Sequence, residues 1–420
     1  MKTRTKIILD EWAGRAVVFA LNILARILGR LLSIDHTFSK SPRKIVVCKF
    51  LGMGSIIQAT PLLQTLKRNF PDAKLSFITS ASNKTLLEKI DVVDEVICID
   101  DKGILNVIRT SISALFKLWK GKADLYIDLE TYSYFSTILS TLSLSRNRLG
   151  FYRVERNIRL GVYTHMMFFN SGTPIAQSYL QMARLAGCGE SNDILYPFRA
   201  YEPDIEFVKT KLEQNFDKEK SAYLIINPNA SDLRVERRWP LDKFSQVINQ
   251  LASEFSELNF VLIGIKSEKE WVSQLQKMVR PEFSGRLWNS AGELSLGQLI
   301  ALISSATLTI TNDTGPMHIS FSLKKKTVCL FGPASPGQYG NNPYAYGVYK
   351  KIYCSPCVHD FLTPPCKGDN ICMKLIETSE VFDLCKALLK GEEVKPSHLV
   401  EQTTRYIARN GETIPGIVQR

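Results

Sequence analysis

A chain of 420 residues is longer than one hydrophobic core usually supports, which predicts two domains. Its composition, 45% hydrophobic and 22% charged, is that of a globular protein and excludes a disordered or fibrous one. The net charge of +12 is unevenly spread: residues 1–44 carry nine Lys/Arg against three Asp/Glu, which points to an anionic partner such as a membrane surface, acidic lipid or phosphorylated glycan. No zinc-finger spacing, aromatic RNA-binding strand or recognition-helix signature accompanies the charge, so nucleic acid is not expected as a partner.

Residues 1–10 are basic and polar. Residues 11–34 then form a long, mostly apolar helical pattern. Its longest uncharged run, Ala16 to Ala25, is 10 residues, against the roughly 20 needed to span a bilayer. At helical spacing, Arg15, Asn22, Arg26 and Arg30 fall on one narrow strip, and the rest of the circumference is apolar. That pattern fits an in-plane helix at a membrane interface; a helix packed on the protein itself or on a second subunit has the same pattern. The small-residue cleavage site of a signal peptide is missing, and Arg26 and Arg30 follow the apolar run.

After a polar linker containing Pro42, strands and helices alternate. Residues 44–50 read as a strand, Leu51-Gly52-Met53-Gly54-Ser55 as a glycine loop, and residues 56–70 as a helix stopped by Pro71-Asp72. Strands at 75–79, 95–99 and 125–128 alternate with helical stretches at 86–90 and 104–119. Such alternation predicts a parallel sheet covered by helices on both faces. Residues 146–159 interrupt it with Arg146, Arg148, Arg153, Arg156 and Arg159 beside Phe151 and Tyr152. Guanidinium groups pair bidentately with phosphates and carboxylates, so this segment reads either as an anion-recognition loop or as a solvated basic loop.

A polar stretch from Tyr201 to Lys220 marks a domain junction, and a second alternating series follows it. Strands at 222–228 and 260–264 alternate with helices at 241–255, 268–279 and 296–304. An apolar strand, 306–310, then enters Thr311-Asn312-Asp313-Thr314-Gly315-Pro316-Met317-His318, followed by a helix and the strand of 327–333. A small polar loop between a strand's carboxyl end and a helix is where open parallel sheets bind ligands, because free backbone N–H groups and the helix dipole face an anion there. Asp313 or Thr314 suits the N-cap and Pro316 the first turn, so a well-capped turn with no ligand has the same chemistry. Neither the dinucleotide fingerprint G-x-G-x-x-G nor the P-loop G-x-x-x-x-G-K-[ST] occurs after a strand, which argues against a dinucleotide oxidoreductase and a P-loop NTPase.

The nine cysteines divide into two groups. Five stand singly in apolar contexts (Cys48, Cys98, Cys188, Cys329, Cys385) and read as reduced, buried thiols of a cytosolic protein. Cys354-x2-Cys357-x8-Cys366-x5-Cys372 clusters in a Pro- and Gly-rich loop with His359. Four such thiolates suit structural zinc or an iron–sulfur cluster, disulfides in an oxidising compartment, or unliganded thiols.

Taken together, Gly54-Ser55-Ile56-Ile57-Gln58-Ala59-Thr60-Pro61, Asn227-Pro228-Asn229-Ala230-Ser231 with Arg237-Arg238-Trp239-Pro240, and Asn312 to His318 with Phe331-Gly332-Pro333 resemble the heptosyltransferase-like glycosyltransferases, glycosyltransferase family 9. The resemblance runs from about residue 43 to about 385, and the four-cysteine loop is similar to one carried by many members. It implies an α/β chain of the GT-B fold, two Rossmann-like domains facing a cleft, here with an amphipathic N-terminal helix. The expected divisions are an interfacial helix and linker at 1–41, an acceptor domain at 42–205, a donor domain at 206–390 and a tail at 391–420.

The implied activity is inverting, metal-independent transfer of a sugar, often a heptose, from a nucleotide-diphosphate donor to a lipopolysaccharide-type or lipid-linked glycan. The enzyme would work at the cytoplasmic face of the membrane, held there by residues 11–34, with no cofactor for catalysis. Ser231, Arg237, Asp313, Thr314, Gly315, Met317 and His318 would bind the donor; the family usually has Lys where Arg237 stands. Gly54, Arg153 and Arg156 would meet the acceptor. The four clustered cysteines would hold any structural metal. One departure matters: the family's first loop reads Gly-Asp, with that Asp as proposed base, whereas this chain has Gly54-Ser55. A serine cannot take the acceptor's proton unaided. The candidates for the catalytic group are therefore Ser55, Glu130 and Asp128, and a catalytically silent binder of nucleotide sugars or glycans is the alternative reading. A nucleotide-sugar epimerase of the same fold class agrees less well with motifs this broad.

Overall fold

The computed structural model describes residues 3–38, 41–189, 191–216, 222–231, 234–358, 364, 366–397, 406–407 and 413–414. The expected His359 lies outside the described residues, as does most of the tail from 398 onward. The chain forms two compact units, Met1–Tyr196 and Pro197–Arg420.

The first unit begins with helix α1 (Thr3–Leu9), a π-helical turn at Asp10–Gly14 and helix α2 (Arg15–Leu32). Strand β1 (Lys44–Cys48) follows, with helices α3 (Met53–Gln58) and α4 (Thr60–Asn69), β2 (Lys74–Ser80), α5 (Lys84–Leu87) and β3 (Glu95–Ile99). Then come α6 (Ile104–Lys120), β4 (Leu125–Asp128), α7 (Tyr134–Leu142), β5 (Asn147–Tyr152), β6 (His165–Phe168) and α8 (Ile175–Leu185). The six strands are all parallel, in the order β3-β2-β1-β4-β5-β6.

The second unit repeats the plan. It carries α9 (Glu202–Asn215), β7 (Tyr223–Asn227), α10 (Leu241–Glu254), β8 (Asn259–Leu262), α11 (Lys269–Met278), β9 (Leu287–Asn289) and α12 (Leu296–Ser305). It continues with β10 (Leu308–Asn312), α13 (Gly315–Ser322), β11 (Thr327–Phe331), α14 (Pro336–Tyr339), β12 (Ala345–Tyr349), α15 (Ile371–Lys374) and α16 (Thr378–Leu389). The sheet is again six-stranded and parallel, ordered β12-β11-β10-β7-β8-β9. Strands β1, β7, β10 and β11 are buried along their whole length, as central strands of a parallel sheet covered on both faces are. In each sheet the first strand is flanked by strands running on in opposite directions, at β1/β4 and β7/β10. Ligands of doubly wound sheets collect at such switch points, beyond the strands' carboxyl ends.

The structure departs from the sequence expectations in three places. The helix expected over 56–70 is two helices broken at Ala59, because Pro61 has no N–H to continue the ladder and the Thr60 hydroxyl bonds the Ile57 carbonyl at 2.6 Å. The arginine-rich segment is not a loop: Asn147–Tyr152 is a sheet strand paired with β4 and β6. Arg148 turns onto the Val162 and Ser145 carbonyls, and Arg159 is fully buried.

The third departure is the orientation of α2. Asn22 of the expected polar strip meets the protein beside Val18, Leu21 and Ala25, while Arg15, Arg26 and Arg30 are exposed. Asn22 is buried, its amide donating to the Ile158 carbonyl at 2.7 Å and to that of Leu160, and Arg26 Nε donates to Asn22 Oδ1 at 2.7 Å. The broad apolar side points away from the unit, with Leu24, Ile27 and Leu31 exposed. Three further contacts dock the segment. Asp10 accepts the Tyr134 and Phe135 N–H groups at 2.9 and 2.6 Å, at the start of α7, where four N–H groups lack helical partners. Glu11 pairs with Arg156, and Gly14 lies so close to Tyr134 that an added Cβ would sit 2.8 Å from the tyrosine Cβ. Among the described residues no helix is long and apolar enough to cross a membrane.

Candidate functional site

At the β7/β10 switch point, asparagines and threonines fix the backbone. Asn227, the last residue of β7, donates its amide to the hydroxyls of Thr311 (2.9 Å) and Thr314 (2.7 Å). Asn229 donates to Asn227 Oδ1 (3.0 Å) and to the Ile263 carbonyl (2.7 Å), joining β7 to the end of β8. Asn312 donates to the Asn229 carbonyl (3.1 Å) and accepts the Trp239 N–H (3.2 Å). Trp239 is fully buried, and its ring N–H reaches the Ile376 carbonyl. These side chains share donors and acceptors that sheet and helix leave over, so the loop is held by a network of side-chain hydrogen bonds.

That network presents Arg237, Asp313 and the start of α13. Arg237 Nη1 lies 3.3 Å from Asp313 Oδ2 and 3.4 Å from the Asp313 carbonyl. His318 Nε2 lies 3.8 Å from Asp313 Oδ1, and its ring packs edge-on against Phe321 and Tyr339. Thr314 occupies the N-cap of α13 with no side-chain cap bond, because Asn227 holds its hydroxyl, and Pro316 sits in the first turn. The first-turn N–H groups and the helix dipole therefore face outward beside a guanidinium, the arrangement that binds phosphate. Asp313, Thr314, Gly315 and His318 meet here with Arg237. Met317 is fully buried. Ser231 is exposed in the loop after β7. Arg238, beside Arg237, serves the scaffold: its guanidinium stacks on Trp271 at 4.8 Å and donates to the Ala230 carbonyl.

The first unit has its own cluster at β1/β4. Asp128 and Glu130 both sit there but in different surroundings. Asp128 is completely buried, accepts from Ser136 Oγ (2.7 Å), Arg159 Nη2 (3.1 Å), the Glu130 N–H (2.9 Å) and the Tyr163 hydroxyl. Burial pushes its carboxyl above the usual range, although the Arg159 charge and these donors oppose it. Glu130 accepts the Phe50 and Leu51 N–H groups (2.7 and 3.0 Å) and lies 3.0 Å from Lys49 Nζ, all three on Oε1. Burial raises its carboxyl too, but the Lys49 charge and the two N–H donors outweigh that and hold it below the usual carboxylate range. Ser55 stands in the first turn of α3, after Gly52, whose φ of +86° favours glycine, and its hydroxyl bonds the buried Tyr179 phenol. Tyr179, which the sequence did not single out, also feels the charge of Glu130. Gly54 lies beside Ser55 in α3.

Of the two acceptor arginines, Arg156 pairs with Glu11 and stacks on Tyr134, which commits it to docking the N-terminal segment. Arg153 lies over the Tyr132 ring at 4.6 Å and donates to its hydroxyl.

The four clustered cysteines line one pocket with Pro333, Ile352 and Asn370. Burial, with Cys357 and Cys354 nearby, pushes the Cys372 thiol up to about 12. Among the described residues none of the nine cysteines forms a disulfide. Among the described residues, no group of three or more His, Cys, Asp or Glu side chains stands at metal-holding spacing. The thiols share a pocket without forming a ready-made cage.

Two doubly wound units, each with polar side chains at its switch point, make up a GT-B fold. The model of Glycosyltransferase family 9 (heptosyltransferase) matches residues 112–363, and the chain belongs to that family of glycosyltransferase enzymes. The chain is 26% identical over 349 residues to lipooligosaccharide heptosyltransferase 2 of Campylobacter jejuni, covering 81% of this chain and 97% of the relative. It is 25% identical over 283 residues to lipopolysaccharide heptosyltransferase 3 of Escherichia coli K12, covering 66% and 79%. Among solved structures, a family 9 glycosyl transferase from Veillonella parvula superposes with a TM-score of 0.69 at 20% identity, over 85% of this chain and 100% of that one. The E. coli ADP-heptose heptosyltransferase II gives 0.65 at 20% identity, over 84% and 100%.

Proposed function

We propose that this protein is an inverting, metal-independent heptosyltransferase that moves heptose from ADP-heptose to a lipopolysaccharide-core acceptor at the cytoplasmic face of the membrane. The observation that carries the donor half is the pairing of Arg237 and Asp313 beside the outward-facing start of α13. Arg237 and the α13 backbone would take the diphosphate, whose negative charge grows as the glycosidic bond breaks. Asp313 would orient Arg237 and, with His318, the donor sugar. The relatives named lipooligosaccharide and lipopolysaccharide heptosyltransferases support the choice of sugar and acceptor.

In the transfer, the acceptor hydroxyl oxygen attacks the anomeric carbon, the bond to the diphosphate breaks, and the hydroxyl proton passes to a base. Glu130 suits that role better than Asp128. The neighbours of Glu130 converge on Oε1, which leaves Oε2 to receive a proton, whereas Asp128 is wholly buried and held by Arg159. Ser55, tethered to Tyr179, would position the acceptor. The exposed apolar side of α2 would rest on the bilayer, and the four-cysteine loop would close around a structural zinc or iron.

The second reading, a catalytically silent binder, is favoured by Ser55 standing where the family's base is expected. A panel of nucleotide-diphosphate sugars with lipopolysaccharide-core acceptors separates the two. Nucleoside diphosphate release from ADP-heptose, reduced at least about 100-fold in Glu130→Gln with the donor KM little changed, is the expected outcome. Donor binding with no release from any donor supports the silent binder.

A further inference from the structure

Helix α6 carries two apolar faces, and only one of them meets the sheet. Ser111, Ala114, Leu115 and Leu118 are buried, and Ala114 and Leu118 pack with Val46, Ile97 and Tyr126 of the strands below. On the other side Leu105, Ile108, Ile112, Phe116 and Trp119 are exposed, Leu105 at 81% and Phe116 at 61%. Their spacing of three, four, four and three residues makes one continuous stripe along the helix. A solvated helix face is ordinarily polar, and contiguous apolar surface on this scale marks an interaction site.

The stripe lies in the same helical layer as the exposed side of α2. Both helices pack against α7, and Trp119 donates its ring N–H to the Leu142 carbonyl at the end of that helix at 2.8 Å. Between them α7 contributes the half-buried Phe135 and Ile138. Cations predominate along both helices, although Asp100 and Asp101 precede α6 and Asp10, Glu11 and Asp35 flank α2. Residues 102–122 hold Lys102, Arg109, Lys117, Lys120 and Lys122 and no Asp or Glu; α2 holds Arg15, Arg26 and Arg30 and no acid. Trp119, with its ring half exposed and its N–H satisfied, has the amphipathic form favoured at a headgroup boundary. Apolar stripes bordered by cations complement an anionic bilayer.

We propose that α6 is a second membrane-contacting element, so that α2 and α6 together form one docking face for an anionic lipid surface. The proposal rests on the reading that the protein works at a membrane, and it adds that one helix does not suffice. Two contacts at the edges of one layer would fix the tilt of the first unit on the bilayer, where a single helix would leave it free to roll.

The test is flotation of the full-length protein with vesicles of phosphatidylethanolamine and phosphatidylglycerol, against vesicles of phosphatidylcholine alone. The wild type floats with the anionic vesicles. Leu105→Gln/Phe116→Gln on α6 and Leu24→Gln/Ile27→Gln on α2 each weaken partition about tenfold or more, since each pair withdraws two large apolar side chains from the interface. The thermal midpoints stay within a degree or two, because all four side chains are exposed. An α6 variant that floats like the wild type while the α2 variant does not overturns the role of α6 and leaves the one-helix attachment standing. A wild type that fails to float overturns both. Loss of a dimer in light scattering by the α6 variant, with flotation intact, assigns the stripe to a second copy of this chain and also overturns the proposal.

Discussion

Two carboxylates one residue apart, Asp128 and Leu129's other neighbour Glu130, show how far environment divides identical chemistry. Asp128 is locked to Arg159 with no exposure on either side chain. Removing Arg159 would leave a buried charge without compensation, at a cost of about 3–5 kcal/mol. Arg159→Ala should lower the urea midpoint accordingly, and Asp128→Asn with Arg159→Met should recover part of the loss; an unchanged midpoint in Arg159→Ala contradicts the pairing. Glu130 obeys the opposite pH rule. Its folded pKa lies below its unfolded one, so its contribution is present above about pH 4.3 and is lost as pH falls through the folded value. The stability gap between wild type and Glu130→Gln should be wide at neutral pH and shrink below about pH 4. A gap that does not change with pH contradicts the Lys49–Glu130 pair. The sequence marks both carboxylates as strand-end groups. Their partners are invisible in it, because Arg159 stands 31 positions away and only the sheet brings it in. The same holds for Asn227 and Asn312: their motifs are legible, but their work as braces for Thr311, Thr314 and Trp239 is not.

At the scale of elements, periodicity identified most strands and helices, since apolar runs such as residues 125–128 and 306–310 fit buried parallel strands. It failed at Asn147–Tyr152, where arginines hide a strand whose neighbours are arranged by the sheet. It also placed the polar strip of α2 without its direction. Asn22 and Arg26 look like the wet side of an amphipathic helix, yet they meet bare carbonyls at 158 and 160. Docking of this segment depends on Gly14. Gly14→Leu should cost about 1–3 kcal/mol of docking, since the new side chain meets Tyr134. Trypsin should then cut at Arg15 or Arg26 faster than in the wild type, while cleavage in the second unit keeps its rate; equal rates at Arg15 and Arg26 contradict the docking geometry. The four-cysteine loop is the other element whose spacing was legible without its arrangement. Metal analysis of protein purified without chelator should find about one zinc or iron per chain, held by up to four thiolates. Finding neither metal identifies the cluster as four thiols.

At the scale of the whole molecule, the same strand order appears twice, and each copy places polar side chains where its order reverses. The first copy carries the carboxylates and Ser55, and the second carries Arg237, Asp313 and α13. That division was legible because three motifs fall at the ends of strands β1, β7 and β10, where loops gather in this architecture. Loss of one donor-side charge should act on one half-reaction only. Arg237→Ala should weaken ADP binding by about 1.5–3 kcal/mol in calorimetry, the worth of a charged hydrogen bond. Unaltered ADP affinity contradicts a diphosphate site at Asp313.

The central claim is sugar transfer by a chain whose first loop reads Gly54-Ser55. Its most direct test is mass spectrometry of a lipopolysaccharide-core acceptor incubated with the purified wild-type protein and ADP-heptose. An acceptor heavier by one heptosyl unit, with ADP released in equal amount, is the predicted result. An acceptor of unchanged mass, in protein shown to bind ADP-heptose, contradicts it.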